Sequence, residues 1–167
     1  MAIILKQPLS RSDFAELVNG PCGLPISHAW TGYHPAIFLE LGRLRPPRKR
    51  GHHPQGEAVL VVYSEWRIES SRSVLVGSRD GRRKVANHVR ALEGCRVESI
   101  ALVGRIPEIS IGLSRGRFVQ SFAASASQPE WRVRLQDSTW LAVERGSLVC
   151  DLRDALHARR SHSTRRA

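Results

Sequence analysis

The sequence predicts an α+β domain made mainly of antiparallel β meander, with one or two short helices. Three observations carry that prediction. Short runs of alternating apolar and polar residues recur along the chain, separated by Gly, Pro, Asn and Ser punctuation. Only two stretches show helical spacing. The five residues Glu65-Trp66-Arg67-Ile68-Glu69 are echoed by Glu130-Trp131-Arg132-Val133-Arg134, each followed by a Ser-containing turn and a short apolar run.

Taken in order, residues 2–6 read as a short edge strand. Ser10 or Ser12 can cap a helix running to about Asn19, with Phe14, Leu17 and Val18 as its apolar stripe and Asn19-Gly20-Pro21 as its stop. Ile37-Phe38-Leu39-Glu40-Leu41 reads as a buried strand ending at Gly42. Pro46-Pro47 and the Gly51–Gly56 stretch then exclude regular structure, so residues 45–56 are expected to be an exposed loop. Strands follow over 58–63, 65–69 and 73–76. Val85, Val89 and Leu92 mark an amphipathic helix over 82–92, with Gly94 at its C-terminal end.

The second half repeats the strand pattern. A strand over 96–103 precedes one opened by Pro107, in which Ile109, Ile111 and Leu113 share a face. Ser114-Arg115-Gly116 turns the chain back through Phe118, Gln120 and Phe122. After the small-residue joint 123–128, Trp131, Val133 and Leu135 alternate with Arg132 and Arg134. Two more strands follow over 139–143 and 147–150. The expected organisation is one domain over 1–152 with pseudo-repeats at about 24–78 and 95–150, and a basic, disordered tail over 153–167. In both echoes the tryptophan is expected in the core, because alternating Trp positions more often anchor a sheet than bind a ligand.

Charge is concentrated. The chain carries 26 Lys+Arg against 15 Asp+Glu, a formal +11. Arg43, Arg45, Arg48, Lys49 and Arg50 form one acid-free run, and Arg159, Arg160, Arg165 and Arg166 form another in the tail. The rest of the chain is close to neutral. Such runs are candidate phosphate contacts in a nucleic-acid-binding protein, or solvated segments that aid solubility. Neither run is interleaved with aromatic residues, so the sequence shows no single-strand stacking surface.

Motifs for a named reaction are missing. There is no H-E-x-x-H, no G-x-S-x-G, no P-loop and no G-x-G-x-x-G, so no catalytic residue, metal or cofactor is assigned from the sequence. Adjacent His52 and His53 point to opposite sides of an extended chain and make a poor chelate. Cys22, Cys95 and Cys150 are odd in number and widely spaced, which reads as free thiols in a reducing cytoplasm. The amino terminus has too short an apolar run for a signal peptide, and no stretch is long and apolar enough for a membrane span. A polar pocket holding His28, His34 or Glu40 would revive an enzymatic reading.

Four phrases carry a resemblance: Ile26-Ser27-His28-Ala29-Trp30, His34-Pro35-Ala36-Ile37-Phe38-Leu39-Glu40-Leu41-Gly42, Glu65-Trp66-Arg67-Ile68-Glu69, and Gly104-Arg105-Ile106-Pro107-Glu108-Ile109. Together, over most of residues 22–150, they resemble a group of small bacterial proteins of unassigned role. The carboxyl half is also similar to small β-rich proteins of the toxin-immunity type. With the strand-rich body, the missing catalytic motifs and the missing signal peptide, the resemblance points to a non-catalytic, cytoplasmic protein-interaction module, immunity-like, with a toxin-like or other protein partner; it transfers no site residue. The alternative is nucleic-acid binding through the two basic runs. A charge of +11 does not suit neutralisation of a basic nuclease toxin.

Overall fold

The computed structural model describes residues 6–33, 35–126 and 130–151. Their elements, in order, are β1 (Lys6–Pro8), α1 (Arg11–Leu17), β2 (Ile26–Thr31), β3 (Ile37–Leu41), β4 (Ala58–Val62), β5 (Glu65–Glu69), β6 (Val74–Gly77), α2 (Arg82–Arg90), β7 (Val97–Val103), β8 (Glu108–Leu113), β9 (Arg117–Phe122), β10 (Trp131–Arg134), β11 (Trp140–Glu144) and β12 (Ser147–Asp151). The α+β, β-rich meander expected from the sequence is what the chain forms. All ladders are antiparallel. One sheet has the order β1-β12-β11-β10-β4-β3-β2 and the other β6-β5-β9-β8-β7.

Most strands lie within a residue or two of their predicted spans. Ser10 caps α1, its hydroxyl accepting the Asp13 N–H at 3.0 Å. Strand β2 is the element the sequence reading missed. Of the residues predicted as an edge strand, only Lys6 lies among those described, and it opens β1.

The ladder registers repeat between the halves. Strands β2-β3-β4 form a meander whose following hairpin, β5-β6, crosses to the other sheet and pairs β5 with β9. Strands β7-β8-β9 form the matching meander, and their following hairpin, β10-β11, crosses back and pairs β10 with β4. A bulge falls between Ile26 and His28 in β2 and between Val97 and Ser99 in β7. The halves meet at a bridge between Pro25 and Arg96. Around it Gly23 N–H donates to Val97 O and Gly94 N–H to Ile26 O, at 2.7 and 2.8 Å. Both glycines have positive φ, +88° and +84°, where a Cβ would be strained.

One continuous core collects the inner faces of both sheets, including Leu39, Leu60, Val133 and Leu141 from one and Ile68, Ile111 and Val119 from the other. Phe14 of α1 and Val85 and Val89 of α2 close it. Trp66 and Trp131 are fully buried at corresponding positions. Each indole N–H donates to a proline carbonyl just ahead of the central strand of a meander: Trp66 to Pro35 at 2.6 Å and Trp131 to Pro107 at 2.8 Å. Phe14 stacks edge-on against Trp131, ring centroids 5.4 Å apart. Trp30 and Trp140 are only half-buried and lie outside the core.

This packing separates the tryptophans by role. Trp131→Ala removes a filled site and a satisfied N–H and is expected to cost about 3–5 kcal/mol. Trp30→Ala loses chiefly ring stacking and is expected to cost about 1–2 kcal/mol. Urea denaturation at constant m-value measures both, and equal losses would contradict the assignment.

Candidate functional site

The two halves differ most on the outer face of β2 and β3 and in the loop beyond. In the first half His28 stands opposite Glu40 and Trp30 opposite Phe38. At the corresponding pairs of the second half stand Ser99 opposite Gly112 and Ala101 opposite Ser110. Gly112 has no room for a side chain, since a Cβ there would lie 2.4 Å from Ser99 Oγ. The link between β3 and β4 takes residues 42–57, whereas that between β8 and β9 takes only 114–116. The same ladder therefore folds without the first half's aromatic and ionisable groups.

Residues 42–57 contain the basic run, and the backbone ties them down. Arg45 and Gln55 exchange N–H···O bonds of 2.7 and 3.1 Å, Arg43 N–H donates to the Glu57 carboxylate at 2.6 Å, and Arg134 donates to Gly56 O at 2.9 Å. Gly56 lies so close to β3 that a Cβ would meet Leu41 O at 2.4 Å. The tie leaves the cations outside. Arg43, Arg45, Arg48, Lys49 and Arg50 are all exposed, and among the described residues none of them forms an ion pair. Arg159, Arg160, Arg165 and Arg166 lie outside the described residues, as does His34.

His53 fastens the loop to the sheet. Its ring stacks on Trp30, centroids 3.9 Å apart and planes 9° from parallel, and Trp30 stacks on Phe38 at 3.9 Å and 5°. His53 Nδ1 lies 2.9 Å from His28 Nε2. His28 Nδ1 lies 3.3 Å from Glu93 Oε1, which also accepts the Ala29 N–H at 3.0 Å. With His28 Nδ1–H directed at Glu93, His28 Nε2 accepts from His53 Nδ1–H. That tautomer leaves the lone pair of His53 on Nε2. Burial and the neighbouring His28 and His52 hold His53 below the ordinary histidine range, favouring its neutral form.

Glu40 is 5% exposed although it stands on the outer face of β3. It accepts the Gly56 N–H at 2.8 Å. Burial pushes its carboxyl above the ordinary range; the Gly56 N–H, Arg134, the facing Trp30 indole and His28 oppose the shift without cancelling it. The indole N–H stops short of hydrogen-bond geometry and is buried without a partner among the described residues. Glu40, His53, Trp30, Arg48, Lys49 and His52 line one cavity of about 480 Å³. A larger cavity of about 750 Å³ beside Ala123, Ala124 and Glu130 is mostly apolar and holds no histidine.

The structure thus brings together His28, Glu40 and the basic run named from the sequence. Aromatic groups accompany the basic run although none interleaves with it: they are supplied by β2 and β3. Trp30, outside the two echoes, is the tryptophan that lies there rather than in the core. Trp30, Phe38, His53, Glu93 and Arg134 went unassigned because long-range pairing alone joins them, although Phe38 occupies an outward position between the inward aliphatics Ile37 and Leu39. Among the described residues no group of three or more His, Cys, Asp or Glu side chains is arranged to hold a metal, and no helix is long and apolar enough to cross a membrane. No family model, curated protein or solved structure matches the chain.

The Glu40 shift has a definite sign. The folded chain holds this proton more tightly than the unfolded chain does. The stability it contributes is therefore fully present below the ordinary value near 4.5 and is lost as pH rises through the raised value. Glu40→Gln keeps an acceptor for Gly56 and removes the titration. Urea denaturation from about pH 4 to about pH 8 is expected to show the native chain losing stability relative to this variant, and parallel curves would contradict the assignment.

Proposed function

We propose that this protein binds nucleic acid through the 43–50 loop and the adjoining outer face of the seven-stranded sheet. One observation carries the reading: five loop cations without ion-pair partners among the described residues sit beside an aromatic stack in the half that alone has such a loop. Phosphates take up unpaired guanidinium and ammonium groups with release of condensed counterions. Arg132, 4.0 Å from Glu144, and Arg134, bound to Gly56 O, add partly compensated positive charge from β10, and exposed His53 offers a ring at the end of the stack. The tail residues Arg159, Arg160, Arg165 and Arg166 would add charge to the same interaction.

Fluorescence anisotropy with single-stranded RNA and DNA tests this. Affinity is expected to fall steeply with salt. Replacing Arg43, Arg45, Arg48, Lys49 and Arg50 with Gln should flatten the logarithmic salt slope by about 3–4, at roughly 0.7 per phosphate contact on a single strand. Any slope that survives measures the remaining cations, those of β10 and the tail. Undetectable binding at low salt would overturn the reading.

A protein-interaction role of the immunity type is the second reading, favoured by a different surface. Phe118 and Val103, each 37% exposed, stand on the outer face of the five-stranded sheet, and Val74 is 57% exposed on its edge strand. A toxin-like partner would dock there. Affinity purification from the native host should then return a stoichiometric protein that Phe118→Glu releases and the loop variant retains. Loss with the loop variant alone would return the argument to charge.

A further inference from the structure

We infer that the cavity beneath the 43–57 loop is a ribonucleolytic centre, in which His53 takes the proton of an RNA 2′-hydroxyl and Glu40 protonates the departing 5′-oxygen. The inference rests on the nucleic-acid reading and names its substrate class.

RNA carries its own nucleophile. Its cleavage therefore needs a base, an acid and positive charge around one phosphate. Glu93 lies 3.3 Å from His28 Nδ1, and His28 Nε2 lies 2.9 Å from His53 Nδ1; with His53 Nδ1–H donating to His28, the His53 lone pair is on Nε2. Glu40, nine-tenths buried, lines the same cavity, and Arg48 and Lys49 line it as cations for the phosphate oxygens. Two groups whose surroundings push their proton affinities in opposite directions, Glu40 towards holding a proton and His53 towards releasing one, take the acid and base roles. The second half weighs against a purely structural explanation. Ser99 and Gly112 occupy the positions of His28 and Glu40, and the ladder keeps its register and its bulge.

The step balances. The 2′-oxygen bonds to phosphorus as its proton passes to His53 Nε2. The bond from phosphorus to the 5′-oxygen breaks, and the Glu40 carboxyl supplies that oxygen with a proton. The products are a 2′,3′-cyclic phosphate and a 5′-hydroxyl. Water then carries the proton from His53 back to Glu40. His28 and Glu93 touch no substrate; they are positioning residues that fix the tautomer and basicity of His53.

The test incubates the full chain with single-stranded RNA in excess chelator and follows both binding and end chemistry. Expected are cyclic-phosphate and 5′-hydroxyl ends, a bell-shaped pH–rate profile, and no cleavage of a 2′-deoxy substrate. Glu40→Gln and His53→Gln should each lower the rate about 100-fold or more, with RNA still bound. Glu93→Gln should move the ascending limb of the profile to lower pH, and an unmoved limb would overturn the positioning role. RNA that is bound but stays intact would overturn cleavage and leave the binding reading standing. RNA that is not bound would overturn both. Cleavage that needs a divalent metal, spares 2′-hydroxyl dependence, or survives undiminished in both variants would overturn the acid–base assignment. The pH profile and the deoxy substrate use the native chain, so the test holds even where a variant fails to fold.

Discussion

Two indole N–H groups buried beyond the reach of water set the terms for the whole chain. A buried donor without an acceptor costs about 1–3 kcal/mol, so Trp66 and Trp131 must each find an oxygen inside the core. Each finds a proline carbonyl just ahead of a central strand, Pro35 or Pro107. Each tryptophan also stands within the first two residues of the hairpin that leaves its own meander for the opposite sheet. The bond therefore ties every crossover to its meander of origin. The seam at Pro25 and Arg96 joins the halves a second time, through backbone bonds that repeat on both sides. With crossovers and seam in place, neither sheet has a complete inner face without the other.

A molecule whose halves repeat in register offers a comparison within itself. Features in both halves, such as the bulge, the buried Trp and the positive-φ glycine after each helix, are what the fold requires. Features in only one half need another explanation. Glu65 accepts from Ser78 and Arg79 and is held below the ordinary range. Glu40 sits instead among a backbone N–H, an unpartnered indole and a pair of histidines, and is held above it. Desolvating a carboxylate without an ion pair works against stability, and both halves do it: Glu130, the counterpart of Glu65, is also 5% exposed and held above the ordinary range by burial and Glu108. Only the first half, however, sets such a carboxyl beside histidines and a long loop with an acid-free basic run.

Local pattern was legible and long-range pairing was not. Ile37–Leu41 and Glu65–Glu69 were read with their observed boundaries because turn residues flank them and their apolar spacing is plain. The Glu-Trp-Arg echo falls on the two strands whose tryptophans are buried alike and bonded to proline carbonyls. β2 escaped because its bulge interrupts the alternation and its outward residues, His28 and Trp30, blur the contrast between faces. The hairpin exchange leaves no local trace, since β5 has the same alternation whichever sheet it joins. The site was half legible for the same reason. The basic run is contiguous and could be counted, while His53 reaches Trp30 and His28 only once the loop has folded over the sheet.

How that loop is held explains why its charge is available. A segment with five cations and no acid repels itself, and the common remedy is to pair its side chains with carboxylates. Here the fastening leaves the side chains of the run out of it and uses the run's backbone and residues around it: the Arg45–Gln55 bridge, the Arg43 N–H on Glu57, Arg134 on Gly56 O, and the His53 ring laid on Trp30. Arg43 and Arg45 contribute their amides and keep their guanidinium groups exposed. Burial, His28 and His52 all disfavour the charged form of His53, so the ring that lies on Trp30 adds no further positive charge to a loop that already carries five cations.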